Sequence, residues 1–177
     1  DIDAAGLLNE YDAVVLCGGS NIPRDLDIEV RSFKGIHFAM DYLEQNNRRV
    51  AGDGIREEEM IAVAEKKVIV IGGGDTGSDC VGTSNRLGAS SILQIELLSK
   101  PPIARTENDP WPLWPMILRT SSSHEEGCDR NWLINTKEFV TNDKNELIAL
   151  KTVEVDWEIK PGQRPARIEK EGTEKTK

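Results

Sequence analysis

The sequence predicts an α/β fold in which a parallel sheet is followed by an antiparallel β-meander. Three observations carry that expectation. Two short apolar runs, Val68-Ile69-Val70-Ile71 and Ile92-Leu93-Gln94-Ile95-Glu96-Leu97-Leu98, flank a segment with helical spacing. A strand–helix–strand unit of this kind makes a parallel pair through a right-handed crossover. Further along, Val153, Val155 and Trp157 alternate with Glu154, Asp156 and Glu158, the period-two pattern of a strand wet on one face.

Ahead of this unit, Ala13-Val14-Val15-Leu16-Cys17 is short, unbroken and β-branched, and ends at Gly18-Gly19. It is expected as a strand buried on both faces. Ser20-Asn21-Ile22-Pro23-Arg24 reads as a loop. From Gly35 onward Ile36, Ala39, Met40 and Leu43 recur at spacings of three and four, which places them on one face of a helix. Residues 46–54 are a polar connection, and the acid-rich residues 57–65 are expected as a short helix with negative charge in its first turn.

After Ile71 the chain runs straight into Gly72-Gly73-Gly74, and Asp75-Thr76-Gly77 opens the next helix. Cys80, Val81, Ser84 and Leu87 line its inner face, and Gly88 stands where a C-terminal cap belongs. Residues 99–131 hold five of the eight prolines (Pro101, Pro102, Pro110, Pro112, Pro115), so regular structure is not expected there. Loops of this length are functional or disordered, and the rings of Trp111 and Trp114 argue against plain disorder. Residues 132–170 are read as the meander, with turn signals at Asn142-Asp143-Lys144-Asn145 and Pro161-Gly162. The charged residues 169–177 are expected to fray if nothing follows them.

Composition narrows the functions. The net charge of −9 over 177 residues gives no footprint for nucleic acid or anionic lipid, so neither is expected as a partner. No apolar stretch approaches the roughly 20 residues of a membrane span. Cys17, Cys80 and Cys128 show no C-x-x-C spacing, so neither a zinc site nor a dithiol pair is encoded. They are expected as inert, reduced thiols of a cytoplasmic protein. His37 and His124 complete no metal site with them. His37 is read as structural, at a helix start, and His124, inside the long loop, as part of a contact surface. No catalytic constellation emerges from spacing.

The chemistry lies in Gly72-x-Gly74-x-x-Gly77, which matches the dinucleotide fingerprint and sits where that fingerprint must, between an apolar strand and a helix. Gly72 permits the tight turn, Gly74 lets the backbone approach a pyrophosphate, and Gly77 lets helix and strand pack closely, with Gly73 counted among the cofactor-binding residues. Free N–H groups and the positive helix end attract phosphate. Asp75 is read as the N-cap, with Thr76 as a supporting hydroxyl close to the phosphates. Glu96 follows Gly72 by 24 residues, about where an acid accepts hydrogen bonds from a ribose 2′-OH. An acid there favours NADH over NADPH, whereas Lys100 and Arg105 just beyond it would neutralise a 2′-phosphate. The balance leans to NADH.

The segment Lys67-Val68-Ile69-Val70-Ile71-Gly72-Gly73-Gly74-Asp75-Thr76-Gly77-Ser78-Asp79-Cys80-Val81-Gly82-Thr83-Ser84 closely resembles the pyridine-nucleotide motif of the glutamate synthase small (β) subunit family. So do Phe33-Lys34-Gly35-Ile36-His37-Phe38-Ala39-Met40-Asp41-Tyr42-Leu43, Asn47-Arg48-Arg49-Val50-Ala51-Gly52, Asn108-Asp109-Pro110-Trp111-Pro112 with Trp114-Pro115, and Thr120-Ser121-Ser122-Ser123-His124-Glu125-Glu126-Gly127-Cys128. The fingerprint alone points only to the wider glutathione-reductase-like flavoproteins with two dinucleotide domains.

The resemblance implies a Rossmann-like NAD(P)-binding domain inserted in an FAD domain. It implies hydride transfer from NAD(P)H to FAD, with electrons passing through iron–sulfur clusters to the large subunit. There 2-oxoglutarate and glutamine-derived ammonia become glutamate. Residues 1–32 then correspond to the end of an FAD-domain half with its linker, and residues 33–177 to the nucleotide domain. The FAD fingerprint, the cluster cysteines and the last FAD-binding segment fall outside this stretch. Leu16-Cys17-Gly18-Gly19-Ser20 stands where related flavoproteins show an Ala-Thr-Gly turn. The chain is therefore expected as the nucleotide-binding portion of a larger subunit, partnered by the rest of that subunit and by the large subunit, and inactive alone. Two alternatives stay open. One is a module of another flavin reductase, pyrimidine- or ferredoxin-linked. The other is a nucleotide-sensing or interaction domain whose Trp-Pro loop is the docking surface.

Overall fold

A computed structural model describes residues 3–20, 22–23, 25–28, 33–160 and 162–177. In chain order the elements are α1 (Ala4–Glu10), α2 (Ala39–Val50), β1 (Lys67–Ile71), α3 (Asp75–Arg86), β2 (Ser91–Ile95), α4 (Ser122–Glu125), β3 (Asp129–Asn131), β4 (Ile134–Thr141), β5 (Leu147–Glu158), β6 (Ala166–Glu169) and β7 (Lys175–Thr176). Strands β1, β2 and β3 form a parallel sheet in that order, with Ile71 opposite Ile95 and Ile95 opposite Asn131. Strand β5 pairs antiparallel with β4, β6 and β7 in a second sheet. The α/β class with a parallel sheet and an antiparallel meander is thus the one the sequence predicts.

The period of two along the parallel strands builds three layers. Val68, Val70 and Ile92 point to one side, where they pack with Tyr42 of α2 and with Cys80 and Val81 of α3. Ile69, Leu93 and Ile95 point to the other, against Phe139 and Leu150 of the meander. Each fully buried aliphatic side chain contributes about 1.5–3 kcal/mol, so both faces of this short sheet are stabilised by burial. The inner face of α3 is as expected: Val81 and Ser84 are fully buried, and Cys80 nearly so. Burial pushes the Cys80 thiol up to about 11, which keeps it protonated and inert. The helix ends in a Schellman motif. Gly88, at φ +80°, donates to Asn85, and Ala89 donates to Ser84.

Several elements differ from the sequence reading, each for a local reason. Residues 13–17 form no strand. Val15 is 81% and Leu16 92% exposed, because among the described residues the run has no neighbouring strand to pair with. Asn21, Arg24 and Pro161, read as parts of turns and loops, lie outside the described residues. The helix expected from Gly35 starts at Ala39. Before it, the Lys34 backbone is bonded to Asn145 and Leu147 of the meander, and Gly35 at φ +93° turns the chain away. Ile36 therefore joins the meander-side core, Met40 is exposed, and Tyr42 takes the buried position instead. His37 accordingly precedes the helix. Residues 57–65 contribute only the 3-10 turn Glu57–Glu59. Gln45 holds this connection by donating to the Glu59 carbonyl and accepting from the Ile61 N–H, both at 2.7 Å. The long connection is irregular up to Ser121 but then contains α4 and β3. The last residues do not fray in this structure: β7 pairs with β5, and Lys177 exchanges backbone bonds with Leu150.

Candidate functional site

The glycine turn stands at the carboxyl end of β1, where open α/β sheets place their ligand crevice. Gly72 has φ +121°, a conformation closed to most side chains. Its N–H donates to Ile95 and its carbonyl accepts from the Gln94 amide at 2.9 Å. A Cβ at Gly77 would lie 2.4 Å from that carbonyl oxygen, so helix and strand meet there at glycine distance. A Cβ at Gly74, by contrast, would meet nothing within 4 Å, so the backbone there is open to approach.

Gly74, in extended conformation, is the N-cap of α3, and no side chain caps the helix. This corrects the reading of Asp75 as cap: Asp75 is already the first helical residue, so its backbone belongs to the helix and not to the flanking position that caps use. Thr76 is the second. The first-turn donors are left without a side-chain acceptor.

Glu96 sits one residue beyond β2, fixed on both sides of its backbone. Its N–H donates to Asn131 and its carbonyl accepts from Ile134. Its carboxylate reaches across to the turn and accepts from the Gly73 N–H at 2.6 Å, and from the Leu98 N–H at 3.1 Å. Gly73 leaves room for this approach, since a Cβ there would come within 2.7 Å of the carboxylate. The structure therefore brings Gly72, Gly73, Gly74, Asp75, Thr76, Gly77 and Glu96 together. Lys100 and Arg105 are engaged elsewhere. The Lys100 ammonium lies over the Trp132 ring, 4.9 Å from its centroid. The Arg105 guanidinium donates to the carbonyls of Asp109 (2.6 Å) and Leu113 (2.9 Å), riveting the Trp-Pro loop.

That loop is built around Asp109. The buried carboxylate accepts from the Thr106 N–H and hydroxyl at 2.8 and 2.7 Å and from the Met116 N–H at 2.8 Å. These bonds, first those from Thr106, hold it below the usual carboxylate range. The same scaffold displays Trp111 and Trp114, 83% and 70% exposed, with Arg119 stacked over the Trp114 ring.

Residues behind the turn complete the arrangement, and most of them escaped the sequence reading. Gln94 is buried, and its carbonyl oxygen lies 2.9 Å from His124 Nε2. Ser121 forms a capping box with His124 and its hydroxyl also meets that of Ser78 on α3. His124 is thus packed behind the fingerprint and not displayed as a contact surface. Burial, and then the Arg130 guanidinium, hold its imidazole below its ordinary value. Two signals in the sequence point this way: a lone Gln in an apolar strand must find partners when buried, and Ser-x-x-His has the spacing of a capping box. Among the described residues no three His, Cys, Asp or Glu side chains gather as metal ligands, and no helix is long and apolar enough to cross a membrane.

A glycine turn between a buried parallel strand and a helix, backed by an acid at the next strand's end, defines a Rossmann-like α/β module. Mycobacterium tuberculosis FprA, solved in complex with NADPH, matches it with a TM-score of 0.59 at 14% identity, covering 99% of this chain and 49% of that one. No family model matches the chain. Among curated proteins it is 47% identical to glutamate synthase [NADH] of Saccharomyces cerevisiae over 85% of its length and 7% of that protein. It is 44% identical to the glutamate synthase [NADPH] small chain of Mycobacterium tuberculosis over 88% of its length and 32% of that protein. The chain is thus similar to one segment of the glutamate synthases, and it spans a third or less of those proteins in these matches.

Proposed function

We propose that the chain is the NAD(P)H-binding module of a glutamate synthase small subunit, orienting the dinucleotide against an FAD held by the rest of that subunit. The reading is carried by the turn Gly72–Gly77: glycines that admit the backbone to a pyrophosphate, and an α3 start whose donors no side chain caps. The residues fit the group, because the space at Gly74 is open and Glu96, one residue beyond β2, faces the turn. Gly72, Gly73, Gly74 and Gly77 shape the cradle, with Thr76 at its rim. Asp75, one residue inside the helix, bounds it.

Bound here, the dinucleotide supplies a hydride, and the chain's task is to hold and align it. Glu96 accepts from the ribose 2′-OH, exchanging its bond to the Gly73 N–H for one to the sugar. Its charge opposes a 2′-phosphate by about 1–4 kcal/mol at contact distance, which favours NADH. Lys100 and Arg105, turned to other partners, offer a 2′-phosphate little compensation. In the whole enzyme the electrons would reach the large subunit and drive formation of glutamate from 2-oxoglutarate and glutamine, in the cytoplasm. The exposed Trp111 and Trp114 favour a second role for the same chain, as a docking face toward those partners.

Calorimetry on the parent chain and on Glu96→Ala with NADH and NADPH tests the assignment. The reading expects the parent to prefer NADH and the variant to lose that preference. A parent that prefers NADPH contradicts the role given to Glu96.

A further inference from the structure

We propose that Gln94, Ser121 and His124 form a brace that positions the glycine turn for its nucleotide, so that the Ser-Ser-Ser-His-Glu-Glu segment acts on the site from behind. The inference rests on the reading of the turn as a nucleotide site, and its evidence is a hydrogen-bond chain whose polarity is fixed throughout.

The chain starts at a backbone donor. The Ser121 N–H points at His124 Nδ1 (3.2 Å), and an N–H can only donate, so Nδ1 is the bare nitrogen. The proton of the neutral ring is then on Nε2, which donates to Gln94 Oε1 at 2.9 Å. With its oxygen so engaged, Gln94 turns its NH2 to the Gly72 carbonyl at 2.9 Å, an atom that can only accept. Reversing either the imidazole tautomer or the amide breaks two bonds at once. Gln94 is 2% exposed, so water does not substitute for a lost partner.

The atom held at the end of this chain is a sensitive one. The Gly72 carbonyl oxygen is the group against which Gly77 packs, and it belongs to the same peptide unit as the Gly73 N–H. Its position sets both the gap between β1 and α3 and the direction of the donors in the turn. The brace is in turn moored along α3 at successive levels. The Ser121 and Ser78 hydroxyls meet, Gly82 admits Ser123, Asn85 Nδ2 donates to the Gly127 carbonyl at 2.8 Å, and Arg86 pairs with Glu126. His124, Ser121 and Gln94 touch no expected position of the nucleotide. They are positioning residues.

The test is nucleotide affinity in the full chain, read with NADH and NADPH, beside stability measured in the absence of nucleotide. His124→Ala is expected to weaken binding about tenfold, the effect of one buried hydrogen bond. His124→Gln, which keeps one donor and one acceptor, is expected to recover most of that loss. His124→Ala in a Gln94→Leu background is expected to add nothing further, because the two act in series. A role in folding alone would lower stability in every variant and leave affinity unmoved. Parent-like affinity of a folded His124→Ala overturns the brace and leaves the nucleotide reading intact. A parent that binds neither nucleotide overturns both. If His124→Ala does not fold, the imidazole nitrogen resonances of the parent decide: the Nε2–H tautomer supports the brace, and the Nδ1–H tautomer overturns it.

Discussion

A Cβ added at Gly77 would stand 2.4 Å from the Gly72 carbonyl oxygen and 3.0 Å from Gln94 Nε2, and the nearer atom is backbone that cannot swing aside. Gly77→Ala is therefore expected to force α3 away from β1, costing about 1–3 kcal/mol of stability. Urea denaturation measures that cost, and binding assays should show a larger loss than the stability change accounts for. At Gly74 the surroundings are open, so Gly74→Ala should leave the denaturation midpoint nearly unchanged while still obstructing a pyrophosphate. The spacing of these glycines was legible in the sequence, because a turn needs particular residues at particular offsets. Glu96 was legible for the same reason, as an acid at a strand end. Gln94, Ser121 and His124 were not, because what defines them is each other. Their bonds join residues 22 to 43 positions apart, if the local Ser121–His124 pair is set aside, and no local pattern encodes such a meeting.

Elements repeat that lesson at a larger size. β1, α3 and β2 follow from periodicity, since each buries its own regular face against the others. Residues 13–17 have the composition of a buried strand, yet burial depends on a neighbour that the described residues do not supply. The start of α2 was displaced because the meander's turn captures the Lys34 backbone, again a long-range event. The Trp-Pro loop shows how a proline-rich connection stays ordered without strands or helices. Its structure rests on Asp109, whose carboxylate satisfies backbone donors from both sides of the loop. Asp109→Ala would leave the Thr106 and Met116 N–H groups without acceptors. Their amide exchange is expected to accelerate by about tenfold or more, while the amides of β1 and β2 remain protected. Exchange unchanged at Met116 would show that the loop is held by other contacts.

For the molecule as a whole, the parallel sheet is the shared wall of two cores, and the site lies on its carboxyl edge. Stability of that wall is linked to pH through His124. Its folded-state value is lowered, by burial first and by Arg130 second, so the unfolded chain binds the proton more readily. The groups facing the ring are Gln94 from β2, the backbone N–H and hydroxyl of Ser121, and Arg130 from β3; a second ring proton, on Nδ1, breaks the bond from the Ser121 N–H and meets the Arg130 charge. Its contribution is thus present above the ordinary value of 6.5 and is lost as pH falls through the lower folded value. The urea midpoint should decline between pH 7 and about pH 5, and His124→Gln should flatten that decline. The carboxylates of Asp109, Glu154 and Glu169, held below their ordinary values, lose their contributions only at lower pH, so the two effects separate.

The central claim is that the turn at residues 72–77 binds a nicotinamide dinucleotide. Backbone amide shifts of the isotopically labelled chain, followed during titration with NADH, test it most directly. The account predicts saturable shifts concentrated at Gly73, Gly74, Asp75, Thr76 and Glu96, with weaker ones relayed to Gln94. Saturable shifts confined to the meander, or none at any concentration of NADH or NADPH, would contradict it.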